Sequence, residues 1–125
     1  MLDRIDIQVE VLRPETSILT TPHDGAETSA DVRQRVIEAR NVQYERAGRA
    51  NALLGNDELT RFCAIDGATL QLLEDAAKQL YLSPRACHRI LKVARTVADL
   101  DHALDIGAEH VAEAITLRRL SASMA

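Results

Sequence analysis

The chain has 125 residues, of which 46% are hydrophobic and only 2% aromatic, and its formal net charge at pH 7 is −4. This length corresponds to one domain or a piece of one, and the shortage of aromatic residues predicts a core of Leu, Ile, Val and Ala, as in closely packed helices. The acidic balance argues against a protein coated with positive charge for nucleic acid, although it allows a local basic face.

Cysteine and histidine do not occur in the spacings of a metal site. We interpret Cys63 and Cys87 as small buried side chains in a reducing compartment. His88, His102 and His110 are each expected at the surface or in a helix cap. No signal peptide is visible, and no apolar run approaches the ~20 residues that span a bilayer. The sequence therefore predicts a cytoplasmic protein with no metal site and no membrane partner.

The first segment, LDRIDIQVEVLRP, alternates apolar and polar residues and ends at Pro14. This period of two predicts a half-buried strand over residues 5–12. A single strand cannot satisfy its own backbone, so it pairs with another copy or belongs to a sheet outside this sequence, and we favour the second. Residues 1–14 are thus predicted to be the remnant of a preceding domain. The polar residues 15–29, which include Pro22 and Gly25, are predicted to be a flexible linker.

Helical patterns fill the rest of the chain, and they predict an all-α fold, a small helical bundle over residues 30–120 with a frayed tail at 121–125. Helices are predicted at about 30–47, 57–63, 67–81, 84–100 and 108–120. The expected N-caps are Ser29, Asn56, Asp66 and Ser83, and Gly48 is expected to end the first helix. The third helix should bury a stripe of Leu70, Leu73, Ala77 and Leu80, and the last should bury Val111, Ala114, Ile115 and Leu117.

The fourth helix pairs an apolar face with a stripe of basic residues, namely Arg85, Arg89, Lys92 and Arg95. Arg85 lies in the first turn, where a cation faces the positive end of the helix dipole at a cost of roughly 0.3–1 kcal/mol. A rigid arginine beside the free amides of a helix start is a good receptor for phosphate. The alternative is a basic face that packs against acidic neighbours.

The first helix carries Arg33, Arg35 and Arg40. One interpretation is a solvated face in which these arginines alternate with Glu38 and Glu45. The other is a surface that binds DNA or a neighbouring subunit.

The stretch LSPRACHRILKVARTVADLD closely resembles the C-terminal motif of the magnesium chelatase-like AAA+ ATPases, in the branch called ComM/YifB. LDRIDI at residues 2–7 and the spacing VRQRVIEAR…Q…R…N…L at residues 32–53 fit the same family in the same order. The resemblance extends over nearly the whole chain. In that family the nucleotide lies between a core domain and a small helical lid, and between adjacent subunits of a ring.

The resemblance implies a role for particular residues. Residues 30–120 would be the lid, and residues 1–14 would hold the last core strand. Arg4 would be the arginine finger, which acts in trans on the γ-phosphate held by a neighbouring subunit. Arg85 would be the sensor 2 residue that contacts the phosphates, with Arg89 as a weaker candidate that could instead face the adjacent subunit.

Both nucleotide-site motifs of the core, the phosphate-binding loop GxxxxGK[ST] and the acidic Walker B strand, are missing from this sequence. The chain by itself is therefore expected to lack ATPase activity, and ATP and Mg²⁺ are expected to bind only in a full-length parent. The resemblance implies that this parent is an ATP-driven homo-oligomeric ring, expected to be a hexamer, which acts on DNA in branch migration during natural transformation. The fragment alone is expected to be a monomer.

Five basic residues are candidates for a DNA or subunit contact: Arg33, Arg35, Arg40, Lys92 and Arg95. They also support a second hypothesis, that of a binding module in place of an ATPase lid. In it, the chain is a freestanding helical module that binds DNA or protein directly and uses no nucleotide.

Overall fold

A computed structural model describes residues 6–9 and 27–118 of the chain. Within these ranges the chain forms five α-helices and one short 3₁₀ helix, with no β-strand, which confirms the predicted all-α bundle. The α-helices are α1 (Ser29–Ala47), α2 (Asn56–Phe62), α3 (Gly67–Leu80), α4 (Pro84–Leu100) and α5 (Ala108–Thr116), and the 3₁₀ helix covers Asn51–Leu53. Arg4, most of the predicted linker and the tail at 121–125 lie outside the described residues.

Only residues 6–9 of the predicted strand are described, and they have no regular secondary structure. A strand needs a neighbour to accept and donate its backbone hydrogen bonds, and the described helices offer no sheet edge. One backbone bond does form, from the Gln8 N–H to the Leu117 carbonyl at 2.7 Å. This segment is therefore attached to the helices although it is not part of a sheet here.

The ends of α1 show how local hydrogen bonds define a helix. Its N-cap is Thr28 and not Ser29, because the Thr28 hydroxyl accepts the Asp31 N–H at 3.1 Å while the Asp31 carboxylate accepts the Thr28 N–H at 3.4 Å. Gly48 ends the helix as predicted. Its φ of 72° is left-handed, and its N–H donates to the Tyr44 carbonyl.

The later helices begin mainly where the sequence predicts. Asp66 caps α3 by accepting the Thr69 N–H at 2.7 Å, and Ser83 caps α4 by accepting the Ala86 N–H at 3.1 Å. The predicted cap Asn56 is wrong, because the N-cap of α2 is Gly55, whose N–H donates to Glu58. At the other end of the chain, α5 finishes at Thr116, four residues earlier than predicted.

The core is aliphatic and rich in alanine, as the composition predicts. Helix α4 lies at its centre and packs against α1, α2, α5 and the 3₁₀ helix. Ala94 and Ala98 are fully buried, and such small side chains allow neighbouring helices to approach closely. The buried cluster comprises Leu54, Leu59, Cys63, Leu73, Ile90, Ala94, Ala98, Ile106, Val111, Ala114 and Ile115.

One predicted core position is wrong. Leu70 of α3 is 45% exposed, whereas its neighbour Thr69 is almost fully buried. The face of α3 that packs inward includes Leu73, Ala76 and Leu80, of which Leu73 and Leu80 belong to the predicted stripe. The difference at the start of the helix is that Thr69 is buried there in place of Leu70. The Asp66 cap, which holds the Thr69 amide, orients this first turn.

Candidate functional site

The candidate site begins at the sharp junction between α3 and α4. Tyr81 ends α3 in a left-handed conformation with φ 54°, and two residues later the Ser83 cap opens α4. Pro84 occupies the first helical position, where its missing N–H costs nothing and its fixed φ suits a helix. The junction therefore sets the direction of the next residue, Arg85, with little freedom.

Arg85 lies in the first turn of α4, and its side chain is exposed. Among residues 6–9 and 27–118, its guanidinium has neither a hydrogen-bond nor an ion-pair partner. The first turn of a helix also keeps N–H groups that have no acceptor inside the helix. In this turn Pro84 has no N–H and Ser83 accepts the Ala86 N–H, so the guanidinium of Arg85 is the main group that is chemically suited to an oxyanion such as phosphate.

Arg89 lies one turn further along α4 and is already engaged. Its Nη1 donates to Asp6 Oδ1 at 2.9 Å, and the two side chains are 21% and 43% exposed. Nη1 of Arg118 lies 3.9 Å from the same oxygen, and the Arg118 side chain is only 4% exposed. Asp6 therefore lies between two arginines, and its segment is held against the helices.

Arg95, a candidate for contact with DNA or a neighbouring subunit, is buried. Its side chain is 5% exposed and donates to the carbonyls of Ala103 and Leu104 at 2.9 and 3.0 Å, while its Nη2 lies 3.2 Å from Asp99. Its Nε is buried without a partner among the described residues. Since Arg95 belongs to the core, it is not available for contact with DNA or a neighbouring subunit in this structure.

Asp99 is the centre of this buried polar network. Its carboxylate is fully buried and accepts from Arg46 at 2.5 and 3.2 Å and from Asn51 at 3.0 Å, in addition to the pairing with Arg95. The network joins α1, the 3₁₀ helix and α4. It therefore fixes how the first helix lies on the central one.

The remaining basic candidates differ in what they contact. Arg35 forms a two-bond ion pair with Glu27 at 2.5 and 2.8 Å, and Lys92, half-buried, donates to the Ala52 carbonyl at 3.4 Å. Arg33 and Arg40 are exposed and have no ion-pair partner among the described residues. Of this group, Arg33, Arg40 and Lys92 have no ion-pair partner among the described residues, and only Arg33 and Arg40 are exposed.

His110 forms a helix cap, one of the two predicted outcomes. Its Nδ1 accepts the Gly107 N–H at 2.8 Å, so its Nε2 carries the hydrogen that faces Asp101 at 3.0 Å. His102 is exposed, as predicted. No cluster of His, Cys, Asp or Glu suited to a metal ion occurs in residues 6–9 and 27–118.

Both cysteines are free, and Cys63 is buried as predicted while Cys87 is half-buried. Burial raises the pKa of the Cys63 thiol to about 11. It also raises the pKa of Cys87. Among the described helices, none combines the length and apolarity required to cross a bilayer.

Two long-range contacts were not predicted from the sequence, Asp6 with Arg89 and Arg46 with Asp99. They join residues 83 and 53 positions apart. The only sequence signal of the buried network was the spacing of Arg95 and Asp99, four residues apart on one helix.

Comparison of the sequence with known proteins places the chain in a family. Residues 26–118 match the family model described as magnesium chelatase, subunit ChlI C-terminal. The chain is 46% identical over 120 residues to the competence protein ComM of Haemophilus influenzae, and 40% identical over 119 residues to the uncharacterized protein YifB of Escherichia coli. Each match covers 95% of this chain but only 23% and 24% of the relatives, so the chain spans about a quarter of their length.

Proposed function

Because the chain belongs to the magnesium chelatase ChlI C-terminal family and resembles ComM and YifB, we propose that it is the helical lid of a longer AAA+ ATPase. In this proposal the nucleotide-binding core lies in sequence outside the chain. ATP and Mg²⁺ bind to that core, and the lid responds to the phosphates. The chain by itself does not hydrolyse ATP.

The free guanidinium of Arg85 is the observation that carries this proposal. It stands at the start of a well-packed helix, and it has no partner among the described residues. In the full protein it acts as sensor 2 by pairing with ATP phosphate oxygens, and the departure of the γ-phosphate removes part of that attraction. Because α4 is the central helix of the bundle, a pull on Arg85 moves the whole lid.

Two other arginines complete the proposed nucleotide site. Arg4, outside the described residues, acts in trans as the arginine finger and stabilises the charge that develops during phosphoryl transfer. Arg89 is the weaker phosphate contact, since it must first leave Asp6.

We further propose that the full protein is a homo-oligomeric ring, a hexamer, that remodels DNA. The relative from Haemophilus influenzae is named a competence protein, which supports a role in natural transformation and branch migration. Arg33 and Arg40 are the exposed cations that the lid offers to DNA or to the neighbouring subunit.

A freestanding module that binds DNA through basic faces has weaker support. Arg95 is buried, Arg35 is paired with Glu27, and Arg89 is paired with Asp6. Of the five candidate contact residues, only Arg33, Arg40 and Lys92 remain without an ion-pair partner among the described residues, and the net charge of the chain is −4.

The proposal is tested by replacing Arg85 in the full-length protein. Arg85→Ala is expected to lower the turnover number for ATP by about tenfold or more, which corresponds to about 1.4 kcal/mol of transition-state stabilisation. Arg85→Lys should retain part of the activity, because it keeps the charge but loses the planar fork.

Lys78→Ala is the matched control, since Lys78 is an exposed cation on the last turn of α3, at the end of a helix and not at a helix start. Its turnover should equal that of the unchanged protein, with and without branched DNA. Unchanged turnover in Arg85→Ala would remove the sensor assignment. Failure of branched DNA to alter turnover would remove the DNA-motor assignment.

A further inference from the structure

We propose that Asp6 is a positioning residue that fastens the end of the ATPase core to the lid. It pairs with Arg89 of α4 and Arg118 just after α5, and so joins the segment that follows Arg4 to the helix that presents Arg85. The consequence for catalysis rests on the proposed function. The attachment itself is a property of this chain alone.

Two independent contacts hold segment 6–9 on the lid. One is electrostatic, from Asp6 Oδ1 to Arg89 Nη1 at 2.9 Å and to Arg118 Nη1 at 3.9 Å. The other is the backbone hydrogen bond from the Gln8 N–H to the Leu117 carbonyl at 2.7 Å. Arg89 lies on α4, and Leu117 and Arg118 lie directly after α5. These two helices pack together in the core.

The side of the segment that faces the lid is polar. Asp6 and Gln8 are half-buried, whereas Ile7 and Val9 are 52% and 64% exposed. Apolar side chains that alternate along an extended segment are those that a sheet buries against its own core. The lid therefore takes the polar side, and the apolar side remains for the core domain that precedes residue 6 in the proposed full protein.

The contact of Asp6 with the lid is partly exposed to solvent, so it is reversible. Asp6 retains 43% exposure, so water and salt screen its interaction with Arg89. Arg89 holds Asp6 through one hydrogen bond, from Nη1 at 2.9 Å, so a shift of its guanidinium toward a nucleotide phosphate would lengthen this bond. Movement of Arg89 toward phosphate would thus release Asp6, and the joint between core and lid would loosen when the nucleotide site fills.

Hydrogen exchange in the 125-residue chain tests the attachment directly. Asp6→Asn keeps the shape of the side chain and removes its charge. It should raise the exchange rate of the Gln8 amide about two- to fivefold, the effect of losing one partly exposed ion pair. The rates of core amides such as Ala94 should not change, and Asp6→Glu should restore most of the protection.

Glu74→Gln is the matched control, because Glu74 is an exposed carboxylate on the outer face of α3. It makes the same change in net charge, and the Gln8 exchange rate should stay constant. Raising the salt concentration should accelerate Gln8 exchange in the unchanged chain and have no effect in Asp6→Asn. A Gln8 amide that exchanges equally fast in both proteins would overturn the attachment.

Steady-state ATP hydrolysis by the full-length protein tests the coupling. Asp6→Asn should lower kcat about fivefold or more while KM stays within about twofold, because the nucleotide still binds but the lid and core are no longer aligned. Unchanged kcat, or a change confined to KM, would overturn the coupling. Wild-type turnover in Arg85→Ala, together with reduced kcat in Asp6→Asn, would overturn the sensor assignment. The role of Asp6 as a positioning residue between core and lid would then still stand. An unchanged full-length protein that hydrolyses no ATP would overturn both.

Discussion

Replacement of Asp99 by alanine is expected to destabilise the chain more than any exposed substitution. The carboxylate is fully buried and is the common partner of Arg46, Asn51 and Arg95. Removing it deprives three donors of their acceptor at once. Arg46 is 18% exposed and can turn toward water, whereas Arg95 is 5% exposed and cannot.

The size of the effect follows from the charge left on Arg95. Breaking a buried ion pair by removing one partner usually costs about 3–5 kcal/mol, since the other charge remains desolvated. A small domain has about 5–15 kcal/mol of stability in total. Asp99→Ala should therefore remove at least about a fifth of the stability, and the urea midpoint should fall by about 2 M.

Urea unfolding followed by far-UV circular dichroism measures this loss. Asp105→Asn serves as the control, because Asp105 is an exposed carboxylate in the loop between α4 and α5. Its midpoint should match that of the unchanged chain. The double variant Arg95→Met/Asp99→Ala should be more stable than Asp99→Ala alone, because no buried charge remains without a partner. A loss of less than about 1 kcal/mol in Asp99→Ala would refute the view that this network fixes α1 on α4.

Two further predictions concern local features. Gly48→Ala should cost about 1 kcal/mol in urea unfolding, because φ is 72° there and a side chain strains that conformation. Gly67→Ala, where a Cβ meets nothing within 4 Å and φ is not left-handed, should cost much less. The pKa of Cys63, raised to about 11 by burial from an ordinary 9.0, means that the folded state holds its proton longer than the unfolded state. The contribution of Cys63 to stability should thus be constant below about pH 9 and be lost between pH 9 and 11. This part of the fall should be absent in Cys63→Ala, and an equal fall in both proteins would contradict the assignment.

Features that depend on a few neighbouring residues were predictable from the sequence. The start of α4 at Ser83 and Pro84, the Asp66 cap and the Gly48 terminator all use contacts within about four positions. The alanine-rich core face of α4 also follows from a period of 3.6 residues. The same local rules placed Arg85 at an exposed helix start, where the structure leaves it without a partner among the described residues.

Only the tertiary structure determined which of the other charged side chains are buried and which are exposed. Arg85 and Arg95 looked alike in sequence, yet one is exposed and the other is enclosed with Asp99. Whether an arginine is buried depends on a carboxylate that the fold brings near it, as Asp99 is brought to Arg46 across 53 positions and Asp6 to Arg89 across 83. Periodicity records which face of a helix is apolar, but an ion pair satisfies a polar residue inside the core equally well. The four-residue spacing of Arg95 and Asp99 is found on exposed helix faces too, so it does not show by itself that the pair is buried.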